Sequence, residues 1–405
     1  MNETIRVFLE ILAAAVHGWR AEINREIPTN EWQMLFHMAT IHKVLPLFFE
    51  ATYTHPSLAN EQALVAAMKQ QVRQQVILQT IRTREFLELN NRLQSAGVKS
   101  LVVKGIVCRS LYPQPNHRPS SDEDVLIPEA QFEICHGVLT EFGMATKAEL
   151  NSYEVPYCKA GNPLYIELHK SLFPPESDAY GDMNRFFENV WERAVALDIQ
   201  GLTVYTMCPT DHLFYLICHA FKHFLHSGFG IRQICDIVLF AHRYGADVDW
   251  TQILESCQAI RAEKFAAAIF AMGKNYLGFD APAIWQGIEV DEAPMLRDLL
   301  DGGLYGGSSM SRKHSSNITL DAVVAQKKGK KAKSSLIISV FPPREQLEGR
   351  YPYLKKYAYL LPVAWCSRLW TYGKETRNTP DNNAGEALKI GTERVELLKM
   401  YGIIE

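Results

Sequence analysis

Two carboxylates one residue apart, Asp122 and Asp124, open a short strand-forming run, Arg118-Pro-Ser-Ser-Asp122-Glu-Asp124-Val-Leu-Ile. Alternate residues of a strand point to the same side, so Asp122 and Asp124 project together while Glu123 turns the other way. Anions that close repel one another unless a cation lies between them, and oxygen ligands suit a hard divalent ion such as Mg2+. A paired metal site is the chemical reading. An ordinary Ser-Ser-Asp turn leading into a strand would carry the same residues, so the flanking sequence has to decide between them.

Upstream, Lys99-Ser-Leu-Val-Val103 reads as a buried strand running into Lys104-Gly105, after which Ile106 to Tyr112 has helical character. A strand, glycine turn and helix start presents backbone N–H groups and a positive dipole end, which suits a phosphate. Lys104 would add a point charge to that cradle. Downstream, Leu164-Tyr-Ile-Glu167-Leu-His169 alternates as a half-buried strand does, with Glu167 and His169 on one face and Ile166 and Leu168 on the other. Glu167 would complete a three-carboxylate cluster. His169 could equally be a packed core histidine.

Taken in order, these elements resemble the uncharacterised nucleotidyltransferase family within the DNA-polymerase-β-like nucleotidyltransferase superfamily. The resemblance extends to Cys208-Pro-Thr-Asp211, His219-Ala-Phe-Lys-His223, Ile231-Arg232-Gln-Ile-Cys-Asp236, Phe341-Pro-Pro-Arg344 and Arg350-Tyr-Pro, covering most of residues 98–375. It implies an α+β fold: a polymerase-β-like nucleotidyltransferase core, a mixed β-sheet with helices, flanked by N- and C-terminal helical regions. The implied activity is metal-dependent transfer of a nucleotidyl group from a nucleoside triphosphate to the hydroxyl of an acceptor, a small molecule, a sugar or a protein, with release of pyrophosphate. Asp122, Asp124 and Glu167 would be the catalytic and metal-binding carboxylates, holding two Mg2+ ions, with Mn2+ as the alternative. Lys104, Gly105, Arg118 and Ser121 would bind the nucleotide, Arg118 because its planar fork can grip two oxygens. For Arg118, a plain salt bridge to Asp122 or Asp124 is the competing expectation. The chain departs from the superfamily pattern at Lys104-Gly105, where many members carry Gly-Ser, at Glu123, where an apolar residue is more usual, and in having a glutamate as the third carboxylate.

His219 and His223 lie four apart in a strongly apolar helical run and share a face. The glutamate that follows the first histidine of a zinc-protease helix is absent, because Ala220 stands there, and this disfavours zinc. His223, Arg232 and Asp236, together with His169, are expected on the substrate side of the core. Two other functions compete with transfer. One is a regulatory protein that keeps the fold and binds nucleotide without turnover, against which stand Asp122, Asp124 and Glu167. The other is a kinase-like phosphoryl transferase, which would need a glycine-rich phosphate loop that does not occur near a strand.

The chain has 405 residues, 47% of them apolar, enough for a large core and for two or three domains. A formal charge of −3 provides no global field for nucleic acid, and a processive polymerase is disfavoured. Eight cysteines without a Cys-x-x-Cys pair fit reduced thiols, and with an acidic amphipathic start in place of a basic leader they predict a cytoplasmic protein. The apolar runs are too short to span a bilayer.

The division predicted is a helical region over 1–97, the nucleotidyltransferase core over 98–207, and a second helical region over 208–405. Periodicity predicts helices over 2–22, 30–54 and 57–96, a hairpin from Tyr153 to the Glu167 strand, and a strand pair from Val195 to Met207. Helices follow over 209–227, 231–244, 249–258, 261–278, 362–375 and 383–402. Residues 301–335, rich in glycine, serine and lysine, are predicted to form a mobile basic loop: a solvated linker, a lid over the acceptor, or a contact for an anionic partner.

Overall fold

The computed structural model describes residues 2–303, 310–329, 341, 344–347, 351–377 and 384–405. The chain divides into two compact units: Met1–His219 with Ile231–Ile260 and Ala266–Ile288, and Ala220–Gly230 with Arg261–Phe265 and Glu289–Glu405.

The first unit opens with α1 (Glu3–Val16), α2 (Thr29–Ile41), α3 (Leu45–Thr52) and the 34-residue α4 (Gln62–Ser95). The single helix expected over 30–54 is broken at His42–Val44, where Lys43 takes a φ of 57°. Helix α4 stops where predicted. Gly97 adopts a φ of 76°, its N–H bonds to Gln94 O, and Val98 N–H bonds to Leu93 O, a glycine-closed helix end.

Next come β1 (Leu101–Val102), the one-turn α5 (Ile106–Arg109), β2 (Glu123–Leu126), α6 (Phe132–Glu141), β3 (Glu154–Cys158) and β4 (Tyr165–His169). They form a four-stranded mixed sheet in the order β1-β2-β4-β3. Strands β2 and β4 run parallel, and β1 and β3 lie antiparallel at the two edges. Pro156 sits in edge strand β3, where a missing N–H is tolerated. Period-two alternation sorts the side chains. Val125, Ile166, Leu168, Val155 and Tyr157 share one core with Phe86, Leu89 and Leu93 of α4. The strand pair expected around Gly201 is present as β5 (Val195–Ile199) and β6 (Leu202–Thr206). Helices α7 (Pro209–His226) and α8 (Ile231–Tyr244) follow, at the positions the periodicity predicts.

In the second unit, part of the mobile loop predicted over 301–335 is corrected: Met310–Lys327 forms a helix. Its polar composition hid a small-residue face: Ser311, Ser315, Ile318, Thr319 and Ala322 are buried, and the helix packs against the last one, Ala384–Met400. The approach is close. A Cβ on Gly391 would lie 2.5 Å from Ile318 Cδ1. Asp298 anchors this unit, pairing with Arg312 at 2.7 Å and also with Arg394, all three side chains being largely buried. Gly306 to Ser309, the lysine run from residue 330 onward, Pro342, Pro343 and Arg350 lie outside the described residues.

All eight cysteines are free thiols. Among the described residues no helix is long and apolar enough to cross a membrane.

Candidate functional site

The parallel pairing of β2 with β4 places Asp124 opposite Glu167 and Leu126 opposite His169. The antiparallel pairing of β3 places Glu154 opposite His169. Side chains two apart on a strand share a face, so one face of the sheet gathers Asp124, Glu167, His169 and Glu154, while the apolar residues between them form the core. One ligand atom from each of Asp124, Glu167 and His169 lies within 4.8 Å of the others. Asp122 is outside this cluster. It stands half-exposed immediately before β2, accepting a hydrogen bond from Ser121 Oγ at 3.3 Å.

The two aspartates therefore differ sharply in environment. Asp124 is buried, with Lys104 Nζ 2.9 Å from Oδ2 and His169 Nε2 3.5 Å from Oδ1. Burial works against its charge, yet Lys104, followed by His169 and His219, outweighs it and holds the carboxyl well below its ordinary value. Lys104 Nζ also lies 3.3 Å from His219 Nε2. For Glu167 the balance is reversed, and the pull of Lys104 is the smallest of the effects. Burial, then the charges of Asp124, Asp122 and Glu154, push its carboxyl up to about 8.

Glu123 has a different task. Strand alternation sends it to the core side, where a lone carboxylate is costly, and it is fully buried against Arg109 at 2.6 Å. Its Oε2 accepts the N–H of Ile106 at 2.7 Å, the first N–H of α5. The turn expected to cradle a phosphate is thus closed by a carboxylate of the chain itself. Gly105 is required there on two counts: its φ is 54°, and a Cβ would fall 1.9 Å from Glu123 Oε2.

Arg118 was expected on a phosphate or on one of the neighbouring aspartates. It is instead buried and grips Asp236 of α8 with Nε at 2.7 Å and Nη2 at 2.5 Å, while Tyr112 donates to the same Asp236 Oδ1 at 2.7 Å. Arg232, also buried, donates to the carbonyl of Pro119. Arg232 and Asp236 therefore brace the loop before β2. His223 belongs to the second unit, half-buried, with its carbonyl accepting from Gly228 N–H at 2.8 Å.

The same loop is held from α4, a contact that sequence reasoning missed. Gln79 Oε1 accepts the Ser120 N–H at 2.9 Å, and Arg82 donates to the carbonyls of Ser120 and Pro163. Arg109 Nη1 donates to Ser120 Oγ at 2.7 Å. The spacing of Gln79 and Arg82, one turn apart on α4, was the available signal.

The model of the uncharacterised nucleotidyltransferase family matches residues 28–278, more than half of the chain. The chain belongs to this family. Among solved structures it is similar to an antigenic nucleotidyltransferase-like protein from Paracoccidioides brasiliensis, at 14% identity and a TM-score of 0.32, over 51% of this chain and 95% of that one. A search of curated proteins found no match. Membership of a nucleotidyltransferase family points to nucleotidyl transfer in general.

The residues present suit the divalent ion that such chemistry employs. Asp124 offers an ionised oxygen, Glu167 is a carboxylate crowded by like charge, and both ring nitrogens of buried His169 lack a hydrogen-bond partner. Buried polar atoms are ordinarily satisfied, so an imidazole in this condition beside two carboxylates fits a cation site.

Proposed function

We propose that this nucleotidyltransferase moves a nucleotidyl group from a nucleoside triphosphate to the hydroxyl of an acceptor, releasing pyrophosphate. The observation that supports this best is the register of Asp124 and Glu167 on adjacent parallel strands, beside Lys104. In the reaction the acceptor oxygen bonds to the α-phosphorus, and the bond from that phosphorus to the bridging oxygen breaks. The hydroxyl proton passes to a base.

In this reading Asp124 and Glu167 hold a divalent cation, Mg2+ or Mn2+, with half-exposed Asp122 facing the incoming triphosphate and available to a second ion. The cation supplies charge neutralisation for the triphosphate and the departing pyrophosphate. Glu167, at the more exposed rim, is the carboxylate placed to take the acceptor's proton. Lys104 keeps Asp124 ionised and oriented. Glu123 and Arg109 hold the Lys104-Gly105 turn. Gln79, Arg82 and the Arg118–Asp236 pair fix the approach to β2.

The decisive experiment supplies α-labelled triphosphates with Mg2+ or Mn2+ and a panel of hydroxyl acceptors, and follows both label transfer and pyrophosphate. Asp124→Asn and Glu167→Gln should each abolish transfer without unfolding the protein. Transfer that persists in both variants would remove this site from the reaction. Triphosphate binding without pyrophosphate release from any acceptor would favour the regulatory alternative.

A further inference from the structure

We propose that His169 is itself a metal ligand, through Nε2, and that the site therefore selects Mn2+ over Mg2+. This rests on the cation site assigned to Asp124 and Glu167 above and goes beyond it by naming a nitrogen ligand and the ion it favours.

Three carboxylates surround one imidazole. His169 Nε2 lies 3.5 Å from Asp124 Oδ1 and 4.0 Å from Glu167 Oε2, while Nδ1, on the opposite side of the ring, lies 3.9 Å from Glu154 Oε2. The ring is almost wholly buried, and neither nitrogen meets hydrogen-bond geometry. A histidine that served only packing would have found a carbonyl or hydroxyl, as His212 of the same unit does with Val103 O at 2.8 Å and Thr206 Oγ at 3.0 Å.

The order carboxylate, imidazole, cation is how metal-bound histidines are held, the outer carboxylate orienting the ring and raising its basicity. Here Glu154 takes the outer place, directly across from His169 in the β3–β4 register. Ligand atoms around one such ion stand about 3–4 Å apart, so small side-chain rotations suffice to close a set that already lies within 4.8 Å.

The ligand types then choose the ion. Mg2+ demands oxygen and binds imidazole poorly, whereas zinc and copper favour nitrogen and sulfur over a carboxylate-rich set. Two carboxylates with one imidazole suit Mn2+, which accepts both donors and stands above Mg2+ in its tolerance of nitrogen.

Mn2+ bound to the wild-type protein, examined by pulsed electron paramagnetic resonance, should show the 14N modulation of a coordinated imidazole. His169→Ala should abolish that modulation and weaken Mn2+ at least about tenfold, while Mg2+ affinity, measured by competition, changes less than about twofold. His219→Asn should keep the modulation. Glu154→Gln should keep it too, with weaker Mn2+ binding. Mn2+ that binds the wild type without nitrogen modulation overturns the role of His169 and leaves the carboxylate site standing. Failure of both ions to bind the wild type, or binding that survives Asp124→Asn with Glu167→Gln, overturns the cation site itself. The wild-type spectrum decides the question even if His169→Ala does not fold.

Discussion

Lys104 and Asp124 form a buried ion pair across the site, Nζ to Oδ2 at 2.9 Å, which leaves the other carboxylate oxygen turned toward His169. One side chain thus divides its two oxygens between an internal cation and the face it shares with Glu167 and His169. Lys104→Met should strand the Asp124 charge and cost about 3–5 kcal/mol of stability, the usual penalty for breaking a buried pair from one side. Urea unfolding with and without divalent salt measures it. Recovery of part of the loss with Mn2+ is expected, and an unshifted midpoint would show that Asp124 does not depend on this lysine.

Glu167→Gln should separate stability from activity. The wild-type carboxyl is held up to about 8 by burial and by its acidic neighbours, so removing the ionisable group leaves thermal stability unchanged or raised in metal-free buffer. Label transfer should fall by roughly 100-fold or more, as when a group that stabilises developing charge is removed. A variant that loses both stability and transfer would assign Glu167 to packing.

Gly105→Ala meets two obstacles, a left-handed φ and the Glu123 carboxylate 1.9 Å from the new methyl. The backbone part costs about 1–2 kcal/mol and the contact adds to it. In a double-mutant cycle with Glu123→Ala, the contact part should vanish and the backbone part remain, so the two changes are strongly non-additive. Additive losses would place Glu123 away from the turn.

Arg118→Lys keeps the charge but loses the two-pronged grip on Asp236. Stability should fall by about 1.5–3 kcal/mol, the range for hydrogen bonds to charged groups, with triphosphate affinity of the folded protein unchanged. A selective loss of triphosphate affinity at full stability would return Arg118 to the phosphates.

His212 sets a pH dependence. It is fully buried, and Nε2 donates to Val103 O, which can only accept. Burial lowers its pKa from 6.5 to about 4. Because the unfolded chain binds this proton more readily, the stability contribution is complete above about pH 6.5 and is lost as pH falls toward 4, by about 3 kcal/mol in all. Because Glu167, held up to about 8, works in the opposite direction over this range, the contribution is read as the difference in denaturant midpoint between wild type and His212→Gln, which should move against the wild type as pH falls from 7 to 4.

Much of this was legible in the residues. The glycine end of α4, the β3–β4 hairpin, the strand pair at Gly201 and the alternation that joins Glu167 to His169 are local signals, and local signals survive in sequence. What was not legible depends on distant pairing. Arg118 meets Asp236 more than 100 residues later, and the phosphate-like role of Glu123 exists only once β2 is laid beside the Gly105 turn. Asp122 and Asp124 look equivalent in the sequence, but β2 begins between them, so one is buried beside Lys104 and the other stays half-exposed. The Met310–Lys327 helix is hard to read from sequence because serine, threonine and alanine make up most of its buried face and leave Ile318 and Val323 without a strong apolar period around them.

Glu123 has one consequence for recognition. A glycine bend that awaits a ligand's phosphate stays loose, and the ligand's affinity is reduced by the entropy of ordering it. This bend is already tied to a carboxylate of its own chain. Lys104 and Asp124 are thus preorganised ahead of any encounter, and under the proposed function a triphosphate would dock onto a set surface with no folding step to complete.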